Sequence, residues 1–217
     1  MLGSVPSLSR RGLLLAGLPC LWSNTARGAE STTLVLQPLG RAEALVAPVA
    51  AALSTFYELA VTAAPLVKLP RRAYYRPRGR YRAEILLEVL AEIAPRGTER
   101  VLGLTSADIS TSKPPHEDWG VLGLASVGGQ TCVLSSFRCQ RRARNSAHAM
   151  ERLAKTAVHE LGHTFGLDHC PNRGCLMEDG GGSVLTTDRE TDLCDECRSR
   201  LGAAGKLRAN ATSPWVK

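Results

Sequence analysis

Apolar residues recur along this chain at two spacings, and each switch between them marks an element. Thr33 to Gln37 is a short apolar run that predicts a strand entering the core, closed by Pro38 to Gly40. From Arg41 to about Ala63 the apolar positions Leu45, Val49, Leu53 and Phe56 share one helical face, which predicts a long helix. Pro48 either kinks it or marks its true start. Leu66 to Arg80 is basic and has prolines near or within it (Pro65, Pro70, Pro77), so a loop or irregular strand is expected. Tyr81, Ile85, Val89 and Ile93, joined by Leu86 and Leu90, outline a second amphipathic helix that Pro95 to Gly97 ends. Val101 to Thr105 and Trp119 to Ala125 read as apolar strands, and Thr131 to Phe137 as a third after the Gly128, Gly129 turn. Ala147 to about Phe165 is a further helix. This alternation predicts an α/β (α+β) domain, a twisted mixed sheet packed on helices.

The last helix carries the chemistry. Residues 159 to 169 read His-Glu-Leu-Gly-His-Thr-Phe-Gly-Leu-Asp-His. One helical turn separates His159 from His163, so both imidazoles can grip one metal ion. Glu160 lies beside them, placed to take a proton from a water that the metal activates. His169 follows His163 by six positions, so the chain must leave the helix and fold back. Gly166 supplies that turn, because glycine reaches left-handed backbone angles without steric cost. Three of the five histidines of the chain fall in this stretch. Three histidines with an open fourth position make a catalytic zinc site, where histidines satisfied by hydrogen bonds in an ordinary amphipathic helix are the bland alternative.

Cys170 follows His169 directly, and Cys175, Cys194 and Cys197 come after it. Two cysteine pairs of short internal spacing with a loop between them match a four-thiolate structural zinc site. Such a site would hold the loop that carries His169. Two disulfides are the alternative, although Cys-x-x-Cys pairs better with metal than as a structural bridge.

Together these residues resemble the signature of the archaemetzincins, a branch of the metzincin zinc peptidases. The likeness covers roughly residues 32 to 200, with Leu34 to Gly40, Arg80 to Leu87, Val101 to Ile109 and Lys155 to Val158 in the family's order. One departure is the glycine-rich spacer (Gly180 to Gly182) between Met177 and Cys194. The resemblance implies a metzincin-like zincin domain with two zinc ions per chain. His159, His163 and His169 would bind the catalytic zinc, and Cys170, Cys175, Cys194 and Cys197 the structural one. Glu160 would be general base and then general acid, and Met177 the methionine of the Met-turn beneath the catalytic zinc. In metzincins the last strand before the active-site helix is an antiparallel edge above the metal. That makes Thr131 to Phe137 the suspected substrate-binding strand, which would read an extended peptide through main-chain hydrogen bonds.

The implied activity is peptide-bond hydrolysis by a zinc-activated water with Glu160 as general base. The alternative is a zinc-stabilised peptide-binding protein with little or no catalysis. Cys132 and Cys139 bracket the Thr131 to Phe137 strand and are expected as free or buried thiols. Seven residues at about 3.3 Å each exceed the reach of a disulfide.

Before the first strand, Arg10 and Arg11 precede an apolar run to about Trp22, and Ala26 to Gly28 offer small residues for cleavage before Ala29. Residues 1–28 therefore read as a twin-arginine signal peptide and residues 29–217 as a single catalytic domain. Export is expected, with a cytoplasmic enzyme the alternative if the leader is a mis-assigned start. Cys20 lacks a good lipobox before it, and the apolar run is too short for a permanent membrane span. So little chain separates Ala29 from the first strand that latency by a cysteine switch is not expected. The formal net charge is +7, and loss of the leader would remove Arg10, Arg11 and Arg27 with no acidic residue. That balance does not argue for nucleic acid. The densest basic run, Arg138, Arg141, Arg142 and Arg144, reads as a solvated loop before the metal helix, and a monomer acting on peptide or protein is expected.

Overall fold

The apolar run after Thr33 forms strand β1 (Thr32–Leu39), buried on both faces from Leu34 onward. In the computed structural model, which describes residues 32–216, β1 is flanked on both sides by parallel strands, and that explains a run without alternation. Helix α1 (Glu43–Phe56) follows and buries Val49, Leu53 and Phe56, with Pro48 inside it rather than at its start. The long helix expected to reach Ala63 stops at Phe56. Tyr57 turns extended (φ −107°, ψ 146°), and Leu59–Ala63 becomes β2, the outer parallel partner of β1.

The basic, proline-interrupted segment holds β3 (Tyr74–Tyr75) between short 3-10 turns. It pairs antiparallel with β4 (Arg80–Arg82). Tyr81 belongs to β4, so the second helix, α2 (Ala83–Ile93), starts two residues later than the apolar period suggests. Next come β5 (Arg100–Thr105) and β6 (Ile109–Lys113), a polar strand that no apolar pattern marks.

The single strand expected over Trp119 to Ala125 is two. β7 (His116–Val121) pairs antiparallel with β6, whereas β8 (Gly123–Ala125) pairs antiparallel with β9 (Thr131–Ser135) in a different sheet. The chain changes sheets at Leu122. The main sheet runs β2-β1-β5-β9-β8 and the second runs β3-β4-β6-β7. β9 is therefore interior: every one of its residues is buried, with β5 parallel on one side and β8 antiparallel on the other. Thr131 to Phe137 is not the edge strand. That place belongs to Gly123–Ala125, and Phe137 lies in a short helix, α3 (Ser136–Cys139). A three-residue strand led by glycine carries too little pattern to be picked out, while the apolar β9 draws the eye.

The metal helix is α4 (Ser146–Thr164), begun by Asn145, whose side chain accepts the His148 N–H. The last helix, α5 (Asp195–Ala203), carries Cys197. Alternate strand residues feed two cores. Leu34, Leu36, Leu102, Leu104 and Leu134 pack with Val49, Leu53, Leu153, Ala157 and Leu161 of α1 and α4. On the opposite face Val35, Val101 and Val133 pack with Leu86 and Leu90 of α2. Arg138 is not solvated as expected: it is buried and grips Asp108 through Nε (2.7 Å) and Nη2 (3.1 Å). The expected twin-arginine leader, residues 1–28, lies outside the described residues. No described helix is long and apolar enough to cross a membrane.

Candidate metal centre

Helix α4 positions its motif by packing against α1, β8 and β9. Gly166 (φ 88°) then reverses the chain, its N–H donating to the His163 carbonyl at 2.9 Å. His169 is thereby returned to His159 and His163, and the three imidazoles present ring nitrogens within 4.8 Å of one another. His163 is buried, His159 partly so, and His169 exposed.

Two of the rings have a fixed tautomer. His159 Nδ1–H donates to the Leu176 carbonyl (2.7 Å) and His163 Nδ1–H to the Leu167 carbonyl (2.6 Å). A carbonyl only accepts, so each Nε2 is left bare, and the two Nε2 atoms face each other at 3.0 Å. Burial pushes His159 down to about 3 and lowers His163 as well, so neither ring gains a proton to bridge that gap. Opposed lone pairs at this distance repel unless a cation lies between them. A three-imidazole donor set of neutral rings is also what zinc takes at an open site, so the residues fit the ion.

Glu160 is 7% exposed, and burial raises its carboxyl to about 8. It packs against the edge strand: a Cβ built on Gly123 would lie 2.6 Å from both Cγ and Oε1 of Glu160. Met177 is fully buried beneath α4 at Gly162, where an added Cβ would meet its Sδ at 2.7 Å. Tyr57 seals the same spot, its hydroxyl donating to the Val158 carbonyl at 2.7 Å.

The four cysteines form a second cluster, with sulfur atoms within 4.8 Å of one another. Cys170 and Cys194 are 3.6 Å apart and Cys175 and Cys197 are 3.8 Å apart. Four thiolates around zinc at about 2.3 Å would stand roughly 3.8 Å apart, whereas a disulfide needs about 2.05 Å. All four cysteines are free. Backbone N–H groups of Asn172 and Met177 point at Cys170 and Cys175 sulfur (both 3.4 Å), as befits thiolates. The Cys170 N–H donates to the Met177 carbonyl (2.7 Å), so the loop carrying His169 is tied to the methionine beneath the helix. Cys132 and Cys139 are free and buried, with burial pushing both thiols up.

The segment after Met177 forms one wall of the cleft, held by a network that no motif announced. Arg152, 1% exposed, donates to both carboxylate oxygens of Asp188 (2.7 Å each) and to the carbonyls of Cys139 and Arg141. His148 Nε2 joins Asp188 at 2.8 Å, and the Arg152 hydrogen bond holds that carboxyl down at about 2. The residues missed in the sequence are Gly123, Gly162, Tyr57 and Glu190. Only Gly162 left a signal, as a glycine within the helical motif.

The sequence model of "Peptidase family M54" matches residues 57–203. The chain is 39% identical over 135 residues to the archaemetzincin of Methanopyrus kandleri, covering 62% of this chain and 73% of that protein. It is 33% identical over 163 residues to the archaemetzincin of Haloquadratum walsbyi, covering 70% of this chain and 88% of that protein. The crystal structure of the Methanopyrus kandleri archaemetzincin is similar with a TM-score of 0.71 at 33% identity, covering 82% of this chain and 97% of that one. That of the Archaeoglobus fulgidus protein complexed with malonate has a TM-score of 0.67 at 31% identity, covering 78% and 99%.

Proposed function

This chain belongs to peptidase family M54, the archaemetzincins, and is a zinc-dependent metallopeptidase; on that premise we propose how its residues divide the work. His159, His163 and His169 hold one zinc ion, and Cys170, Cys175, Cys194 and Cys197 hold a second that is structural. The observation that carries this assignment is the pair of bare Nε2 atoms of His159 and His163, 3.0 Å apart beside Glu160. Zinc in the histidine site supplies positive charge, which polarises a carbonyl and makes water acidic.

Glu160 is the proton carrier. Its carboxylate takes the proton of the attacking water and returns it to the nitrogen of the leaving amine. Burial penalises the ionised form of Glu160 and so strengthens its carboxylate as a base. The main chain of Gly123–Ala125, free on one side as the last strand of its sheet, pairs with an extended peptide laid along the cleft. Met177, Tyr57 and Gly162 act as support: close packing beneath the helix fixes the rotation of α4 and so the aim of His159 and His163.

The test is cleavage of a mixed peptide library by the zinc-loaded full chain and by Glu160→Ala, with products read by mass spectrometry. The wild-type protein should cut and the variant should be slower by about 10²–10⁴-fold, with zinc content equal in the two. A Glu160→Ala protein that kept the wild-type rate would refute the role of that residue.

A further inference from the structure

Two glutamates are buried among the described residues, Glu160 and Glu190, and neither side chain accepts a hydrogen bond from those residues, whereas the shielded Asp118 is matched by Arg80. The remaining acids near the cleft wall are matched: Asp188 by Arg152 and His148, Glu178 by Arg189 and the Gly174 N–H, and Asp192 by Arg198. Glu160 has a task in the reaction. Glu190 has none, yet it lines the same cleft of about 330 Å³ and is 3% exposed.

The walls around Glu190 explain why it stays unpartnered. Thr156, Thr186 and Thr187 line the cleft with it, and each has its hydroxyl proton committed to a backbone carbonyl: Arg152 (2.9 Å), Gly180 (3.5 Å) and Val184 (2.6 Å). Lys155 is the cation that most favours its ionisation, but its Nζ is bonded to Glu151 Oε1 (2.7 Å) and the Thr187 carbonyl (3.0 Å), with the Trp215 ring at 5.6 Å. Burial outweighs the field of Lys155 and raises the Glu190 carboxyl to about 8. Glu190 therefore keeps its proton until a cation displaces it, and the cleft then offers a carboxylate and acceptor oxygens, while the three threonines have no hydroxyl proton left to give. A group rich in donors and positive charge satisfies those oxygens, while an apolar side chain would leave the Glu190 carboxyl buried without a partner.

We propose that Glu190 forms the floor of a specificity pocket that takes a lysine or arginine side chain of the peptide substrate. The pocket deepens the peptidase assignment and rests on it. A site built to bond a polar group rejects an analogue lacking it far more strongly than one built on apolar contact alone. Cleavage should therefore favour lysine or arginine over norleucine at one fixed position from the cut, by at least about 10²-fold.

The experiment has two arms, both with zinc-loaded full-length protein and the same mixed peptide library, in which lysine and arginine peptides have norleucine counterparts. In the first, cut positions are compared between wild type and Glu190→Gln; the basic preference should be present in the former and lost in the latter. In the second, turnover is removed by Glu160→Gln, and retained peptides are identified with and without the added Glu190→Gln. Lysine and arginine peptides should be enriched only while Glu190 is present. Zinc content and melting temperature certify that Glu190→Gln is folded. Cuts without a basic preference, or a preference that survives Glu190→Gln, overturn the pocket and leave the peptidase standing. Enrichment that depends on Glu190 without any wild-type cutting upholds the pocket and overturns the peptidase. Neither cutting nor enrichment overturns both.

Discussion

Gly123 leaves the space in which Glu160, the proposed proton carrier, stands. A methyl group there would come within 2.6 Å of Cγ and Oε1 and 2.8 Å of Cδ of Glu160. The atoms in its way belong to a flexible side chain, so Glu160 would swing aside while the strand and α4 stay in place. Gly123→Ala should therefore lower kcat by about 10²-fold, the scale of an ångström of misplacement in a catalytic group, and leave zinc content and melting temperature near wild type. Gly202→Ala on α5, where nothing lies within 4 Å of the added atom, is the matching control and should leave kcat alone. An unchanged kcat in Gly123→Ala would show that the contact does not position Glu160. At this scale the sequence was legible where chemistry dictates spacing, as in His159, Glu160, His163 and His169. It was silent on Gly123 and Glu190, whose importance comes only from what folding brings opposite them.

Elements differ in the same way. Helix α4 could be read because one face of nineteen residues repeats with a helical period and ends on a turn glycine. Strand β8 could not, because three residues carry no period and its place at the sheet edge depends on β9 as partner. β2 was absorbed into the helix before it, since Leu59–Ala63 resumes the apolar run and only the extended Tyr57 and Glu58 separate them. The cysteine loop was legible by spacing, yet its use is visible only in three dimensions. The loop hangs His169 between Gly166 and Cys170, and Cys170 is bonded to Met177 beneath α4. Cys197, 4% exposed on α5, anchors the far end. On the proposed assignment, Cys197→Ser should lose the second zinc and also slacken His169, weakening zinc at the histidine site by about 10–100-fold, the range for outer supports of a metal site. Zinc stoichiometry and a chelator competition read the two effects separately. Full retention of histidine-site affinity after loss of the second ion would show that the loop is held by its backbone alone.

For the molecule as a whole, charge is distributed against its average. The formal net charge is +7, yet the cleft is lined by Glu160, Glu178, Asp179 and Glu190 with Lys113 as the one Lys or Arg. A basic protein with an acidic cleft repels cationic peptides at long range and binds them at short range, where burial strengthens the local field. The buried acid has a consequence for global stability. The Glu190 carboxyl is raised from an ordinary 4.5 to about 8, by burial first, with Glu178 and Asp188 adding to the rise and Lys155 and Arg189 opposing it. The folded chain therefore keeps a proton that the unfolded chain releases. Its contribution is complete below about pH 4.5, declines through neutrality, and is gone above about pH 8. Glutamine has the same shape and no proton to lose. The zinc-loaded Glu190→Gln protein should melt with wild type at pH 5 and above it at pH 9, with the gap opening between those values. Both proteins carry the same histidines and cysteines, so the titration of the metal sites cancels in the difference. A gap that stays flat from pH 5 to pH 9 would mean that Glu190 titrates normally, through water in the cleft or through Lys155. In that case its charge would already be neutralised before any substrate arrives.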